Sequence, residues 1–131
     1  MSDSAALAKK LRIKESSQIW AWPDARRLPE SLAAAASPHI GSAEQSDIGL
    51  LHVDDREAVN TVLGEHLERL APMRAVWLVY AKGNRTDINR DKLWVQLDGY
   101  GWRAVSQVSV DERTSALRIR PLKPGEKPLD R

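Results

Sequence analysis

Two uninterrupted apolar segments, separated by one amphipathic helix, constrain the fold of this chain more than any other feature. Segments 48–53 and 75–80 are apolar at almost every position, which is typical of strands buried on both faces of a sheet. Between them a helical stripe runs up to Pro72; its members are Val59, Val62, Leu63, Leu67 and Leu70. A strand, a helix and a strand in this order predict parallel pairing through a right-handed crossover.

The residues before this unit predict more elements of the same kind. Segment 18–22, ended by Pro23, predicts a further buried strand, and Pro29 suits the first position of a helix. Segment 38–43 predicts a weak edge strand. Ser4 is a possible N-cap of an amphipathic helix at the start of the chain. Asp54, three residues before Glu57, predicts a capping box for the helix between the two apolar segments.

The C-terminal half predicts a helix followed by a β-hairpin. Asn89 suits the N-cap of that helix, with Ile88 and Leu93 as a hydrophobic staple, and Gly99 and Gly101 end it. Alternating apolar and polar residues then predict two strands around a turn at 111–114, with Trp102 as the one tryptophan expected to be exposed.

This order of elements predicts an α/β fold with three layers, α/β/α, around a mostly parallel sheet that an antiparallel C-terminal hairpin closes at one edge. Residues 1–121 are expected to form a single domain and 122–131 a flexible tail. The architecture resembles a short Rossmann-like sheet of the class I methyltransferase type with one βα unit missing. The chain has no cysteine, which excludes disulfide scaffolds, zinc ribbons and thiol chemistry.

Charge and hydropathy limit the classes of partner that we expect this chain to bind. No apolar run approaches the roughly 20 residues that cross a bilayer, and the start lacks a basic signal region, so we expect a soluble cytoplasmic protein with no membrane partner. The net charge is only +2, a balance that does not favour nucleic acid. Residues 1–71 hold 8 basic and 11 acidic side chains, and residues 72–131 hold 12 and 7. We therefore expect an anion to bind the C-terminal half, residues 72–131, where basic side chains are in excess.

In a doubly wound sheet a ligand binds beyond the carboxyl ends of the strands. His52 and Asp54 follow one such end and are the crevice candidates, the one place where a general base would stand. The turn after the first strand, Trp22-Pro23-Asp24-Ala25-Arg26-Arg27, has no glycine to cradle a dinucleotide or S-adenosylmethionine, so we predict no cofactor. The three histidines lack metal-ligand spacing, so no metal is predicted. A histidine–aspartate base without an evident nucleophile or cofactor does not define a reaction, so no catalytic residue is predicted.

The start of the last helix is the candidate anion site. Free N–H groups and the positive end of the helix dipole favour an anion there. The candidate ligands are Lys82, Arg85, Thr86, Asn89 and Arg90. Ordinary capping by Asp87, Asn89 and Asp91, with the cations paired to them or to water, is the alternative interpretation.

The same segment carries a family resemblance. Tyr80-Ala81-Lys82 followed by Thr86-Asp-Ile-Asn-Arg-Asp-Lys-Leu-Trp94 resembles the bacterial domain-of-unknown-function 3052 family, and the resemblance runs from about Leu7 to Pro121. The resemblance implies a small Rossmann-like protein. The family has no established activity, so the resemblance implies none for this chain. The chain departs from the family at Trp22-Pro23, where a basic loop containing glycine is expected.

Three functions remain open from the sequence. The first is a non-catalytic, degenerate Rossmann-like domain that binds a protein partner or acts in regulation. The second is a small-molecule or nucleotide-anion binding protein, an enzyme remnant that uses the helix start near Asn89. The third and weakest is nucleic-acid binding through the basic C-terminal half.

Overall fold

A computed structural model gives the architecture. The residues that the structure describes are 7–14, 17–22, 28, 30–36, 39–41, 45–81 and 90–122. The helices and strands are β1 (Ile19–Trp22), α1 (Glu30–Ala36), β2 (Ile48–His52), α2 (Arg56–Leu70), β3 (Ala75–Ala81), α3 (Arg90–Asp98), β4 (Trp102–Ser109) and β5 (Thr114–Pro121). Residues 7–10 are also helical. The predicted cap at Ser4 lies outside the described residues, as do Ile88 and Asn89.

The five strands form one sheet in the order β1-β2-β3-β5-β4. β1, β2 and β3 are parallel neighbours, and β5 is antiparallel to both β3 and β4. The predicted parallel sheet with an antiparallel terminal hairpin is therefore confirmed. The weak strand predicted over 38–43 is a single parallel bridge between Ile19 and Ile40 in the part of it that the structure describes.

Helices cover both faces of the sheet, so the three-layer prediction is confirmed. On the first face, α2 and α3 bury an apolar cluster that includes Leu51, Leu78 and Leu117. On the second face, the N-terminal helical turn and α1 bury another that includes Leu50 and Trp77. β2 and β3 supply side chains to both clusters, because successive side chains of a strand point to opposite faces. This explains why their sequences are continuously apolar.

α2 begins one residue later than the sequence predicts. Its N-cap is Asp55, which has an extended backbone and whose Oδ1 accepts a hydrogen bond of 2.8 Å from the N–H of Ala58. The predicted capping box of Asp54 and Glu57 is therefore wrong. Asp54 lies instead beside His52, so its carboxylate is available to the strand end and not to the helix.

The hairpin differs from its prediction at Trp102, which is buried and packs in the cluster under α2 and α3. Gly101, at φ +75°, makes the sharp turn from α3 into β4, a backbone conformation that glycine adopts without strain. The pairing of β4 with β5 shifts between Ala104 and Ser106. This bulge changes which side chains of β4 face the core.

Candidate functional site

The strand order reverses at β1. The chain leaves β1, passes through α1, and pairs again with β1 at Ile40 on one side. It then returns to form β2 on the other side of β1, and from there continues to β3. The connections after β1 and β2 thus run in opposite directions. In open α/β sheets such a reversal opens a crevice at the carboxyl ends of the strands, which is the usual ligand position.

The helices that follow these two strands lie on opposite faces. α1 packs on the face of Leu50, and α2 packs on the face of Leu51. The crevice therefore opens between the carboxyl ends of β1 and β2, where Trp22 and His52 are the last residues. Both side chains are half-buried. This is the edge of the sheet at which the sequence predicts the site.

His52 and Asp54 meet at this edge, as expected from their spacing. Nδ1 of His52 lies 3.5 Å from Oδ1 of Asp54, with 19% of the histidine side chain and 57% of the aspartate side chain exposed. At that distance the contact is electrostatic. The histidine is sheltered and the carboxylate is open to solvent, so the pair can donate or accept a hydrogen bond toward a ligand in the crevice.

The start of α2, at the same edge, already holds an anionic group. The carboxylate of Asp55 occupies the position that favours an anion at a helix N-terminus. A ligand anion at the crevice would therefore need its positive charge from elsewhere. The basic residues that come after β3 in the sequence are the candidates.

The predicted anion ligands fall largely outside the described residues. Lys82, Arg85, Thr86 and Asn89 are among the residues left out, and Arg90 is described only as the first residue of α3. β3 ends at Ala81, directly before this segment in the sequence. The anion site therefore remains a prediction.

A small cavity lies elsewhere in the described part of the chain, between α3 and β4. Its volume is about 160 Å³, and it is lined by Trp94, Ala104, Val105, Ser106, Gln107 and Leu117. Sites for drug-sized molecules commonly have volumes of about 300–1,000 Å³. This cavity is too small to be the main ligand site.

A polar network between α2 and the end of α3 is not predicted by the sequence. Nε2 of Gln96 donates to the backbone oxygen of Arg56 (2.9 Å) and to Oδ1 of Asn60 (2.8 Å), and the hydroxyl of Tyr100 donates to the same Oδ1 (2.8 Å). These bonds join α3 to the first turns of α2, so they fix the two helices that begin at the crevice edge. Amides within amphipathic helices give no signal of such pairing in a single sequence.

Within the described ranges, the side chains of His, Asp and Glu form no group of three that would hold a metal ion. In the same ranges the structure has no helix with the length and apolar character needed to traverse a lipid bilayer.

The sheet order, the two helical layers and the crevice at the reversal define a Rossmann-like fold of the methyltransferase type. Over 99% of its length the chain is similar in structure to Sp1610 of Streptococcus pneumoniae, a putative tRNA (m1A22) methyltransferase (TM-score 0.58, 13% identity, 73% of that chain covered). The same protein in complex with S-adenosyl-L-methionine matches 98% of this chain (TM-score 0.50, 15% identity, 65% covered). The DhpI–SAH complex matches 91% (TM-score 0.50, 15% identity, 85% covered).

These similarities define the fold. No family model and no curated protein matches the chain.

Proposed function

We propose that this protein binds a small nucleotide-type anion in the crevice at the carboxyl ends of β1 and β2. The observation that carries the proposal is the reversal of strand order at β1, with the His52–Asp54 pair at its mouth. A ligand site is expected at such a reversal on physical grounds. The structural neighbours solved in complex with S-adenosyl-L-methionine and with SAH share this fold, which supports an adenosine-containing ligand.

The sequence that follows β1 argues against a methyl donor bound through a glycine cradle. It holds Pro23 and two arginines but no glycine, so it lacks one backbone donor and the close backbone approach that only glycine permits. Lys82, Arg85 and Arg90 supply positive charge in the segment after β3. An adenosine nucleotide, with its phosphate toward these residues and its sugar toward His52, matches this chemistry better than S-adenosylmethionine does.

Isothermal titration of the full chain with AMP, S-adenosyl-L-methionine and SAH tests the proposal. We expect AMP to bind saturably at the crevice, and the other two ligands to bind there more weakly. Arg90→Ala should weaken AMP binding about tenfold, since it removes a hydrogen bond to the charged phosphate, and His52→Ala should also weaken it, since it removes a hydrogen bond to the sugar.

Arg69→Ala is the matched control. Arg69 is exposed in the last turn of α2, at the opposite edge of the sheet, and its loss changes the net charge by the same amount as the loss of Arg90. AMP binding should survive this change. Absence of saturable binding for all three probes would overturn the proposal, and a stoichiometric protein partner would then favour the non-catalytic interaction role.

A further inference from the structure

Four arginines converge at the edge of the sheet opposite the crevice. Arg74 comes directly before β3, and Arg118 lies on β5 opposite Trp77, near the amino end of β3. Arg120 follows on the same face of β5, and Arg12 follows the N-terminal helical turn that covers this face. We refer to Arg12, Arg74, Arg118 and Arg120 as the arginine cluster.

Arg74 holds the cluster together. Its Nε donates to Oδ2 of Asp47 (3.2 Å), and its Nη2 donates to the backbone oxygen of Arg12 (2.8 Å) and to Oγ of Ser17 (3.0 Å). These bonds join the N-terminal segment to the starts of β2 and β3. The guanidinium of Arg74 is therefore used within the protein, and its place in the fold is fixed.

Arg118 is also fixed by a hydrogen bond to the backbone. Its Nη2 donates to the backbone oxygen of Arg74 (3.3 Å), whereas its Nε is shielded from solvent and has no hydrogen-bond acceptor among the described residues. Burial lowers the pKa of Arg118, and the positive charges of Arg12, Arg74 and Arg120 lower it further. The protein thus holds a partly buried cation beside three others.

Within the cluster, Arg74 pairs with the carboxylate of Asp47. Holding like charges close together costs free energy unless an anion joins them. Guanidinium groups recognise oxyanions by paired hydrogen bonds in a plane. A flat carboxylate offers two oxygens and one charge, while a phosphate group offers three outer oxygens and up to two charges.

We propose that the arginine cluster binds a phosphoryl group, with Arg118 and Arg12 as its main ligands and Arg120 adding positive charge. The site lies at the amino edge of the parallel strands and does not depend on the crevice at the carboxyl edge. It would take free phosphate or a phosphate of a larger molecule. The two sources share the same chemistry, and separate probes distinguish them.

Titration of the full chain with inorganic phosphate, followed by ³¹P NMR and by thermal unfolding, tests the site. We expect saturable binding that Arg118→Gln and Arg12→Gln each weaken about tenfold, because each removes a charged hydrogen bond. Without phosphate, Arg118→Gln should leave the melting temperature unchanged or raise it, since it removes a cation repelled by three others. Phosphate should raise the melting temperature of the unmodified chain, and this rise should be lost in Arg118→Gln. Arg12 is exposed, so Arg12→Gln tests the site even where Arg118→Gln fails to fold.

Arg113→Gln is the matched control, since Arg113 is exposed in the hairpin turn at the other end of β5 and carries the same charge. It should bind phosphate as the unmodified chain does. Equal losses in Arg118→Gln and Arg113→Gln would show a diffuse charge effect and overturn the proposal. Absence of saturable phosphate binding would overturn it as well.

A short single-stranded RNA identifies the source of the phosphoryl group. If the RNA competes with phosphate and Arg118→Gln weakens both, the site takes backbone phosphates as well as the free ion. If the RNA does not compete while phosphate binding depends on Arg118, the site takes small phosphates. RNA binding that Arg113→Gln and Arg118→Gln weaken equally, with no saturable phosphate binding, contradicts a built site.

Discussion

The indole Nε1 of Trp77 donates a hydrogen bond of 3.2 Å to the backbone oxygen of Leu11, which joins the central strand β3 to the last turn of the N-terminal helical segment. Both side chains are buried. The bond satisfies the indole donor in the core and fixes the segment that leads to Arg12. Packing in the core and placement of the arginine cluster are therefore coupled.

Trp77→Ala should lower the free energy of unfolding by about 3–5 kcal/mol, because it removes a large buried side chain and leaves a cavity. Trp77→Phe keeps most of the ring volume but loses the hydrogen bond to Leu11, so it should cost clearly less. Urea unfolding of the three proteins measures both differences. Equal losses for the two variants would show that the hydrogen bond, not the packing, dominates.

Asp55→Ala should destabilise the protein by about 1 kcal/mol, because it removes the side chain that caps α2. Asp54→Ala is the paired control and should leave the stability nearly unchanged, since Asp54 is exposed and lies beside His52. Thermal unfolding at equal buffer and salt compares the two variants. A larger loss from Asp54→Ala would restore the capping box that the sequence predicts.

Arg12→Gly should raise stability while it weakens phosphate binding. Arg12 has φ +65°, a left-handed conformation that costs an ordinary residue about 1 kcal/mol and glycine little. The change should therefore increase the free energy of unfolding by up to about 1 kcal/mol and weaken phosphate binding as Arg12→Gln does. Chemical denaturation together with the phosphate titration separates the two effects. Phosphate binding that persists in the glycine variant would remove Arg12 from the site.

The sequence predicts the central βαβ unit well because its signal is physical and local. β2 and β3 are buried on both faces and therefore continuously apolar, and Val59, Val62 and Leu63 repeat at helical spacing. The antiparallel hairpin follows from its alternating pattern. These features need no knowledge of distant contacts.

The failures have a common cause in neighbours that the local pattern does not reveal. Asp54 and Asp55 are chemically equal candidates for the N-cap. In the folded chain Asp54 lies beside His52, and Asp55 caps α2. The burial of Trp102 depends on how β4 packs under α3, and the bulge after Ala104 is not visible in the sequence.

The sequence predicts one of the two candidate sites but not the other. His52 and Asp54 could be placed at the crevice because the carboxyl ends of strands follow from the fold class. The arginine cluster joins residues as far apart as Arg12 and Arg74, so only the folded chain brings it together. Membership of the domain-of-unknown-function 3052 family and the ligands near Asn89 stay predictions.

The most direct test of ligand binding at the crevice is a ¹H–¹⁵N NMR titration of the full chain with AMP. Saturable shifts of the backbone amides of His52, Val53 and Asp54, with the amides around Arg118 unchanged at low nucleotide concentration, are the predicted result. Shifts confined to the amino edge of the sheet, or no shift at the end of β2 when AMP is in large excess, would contradict a ligand site at the reversal of strand order.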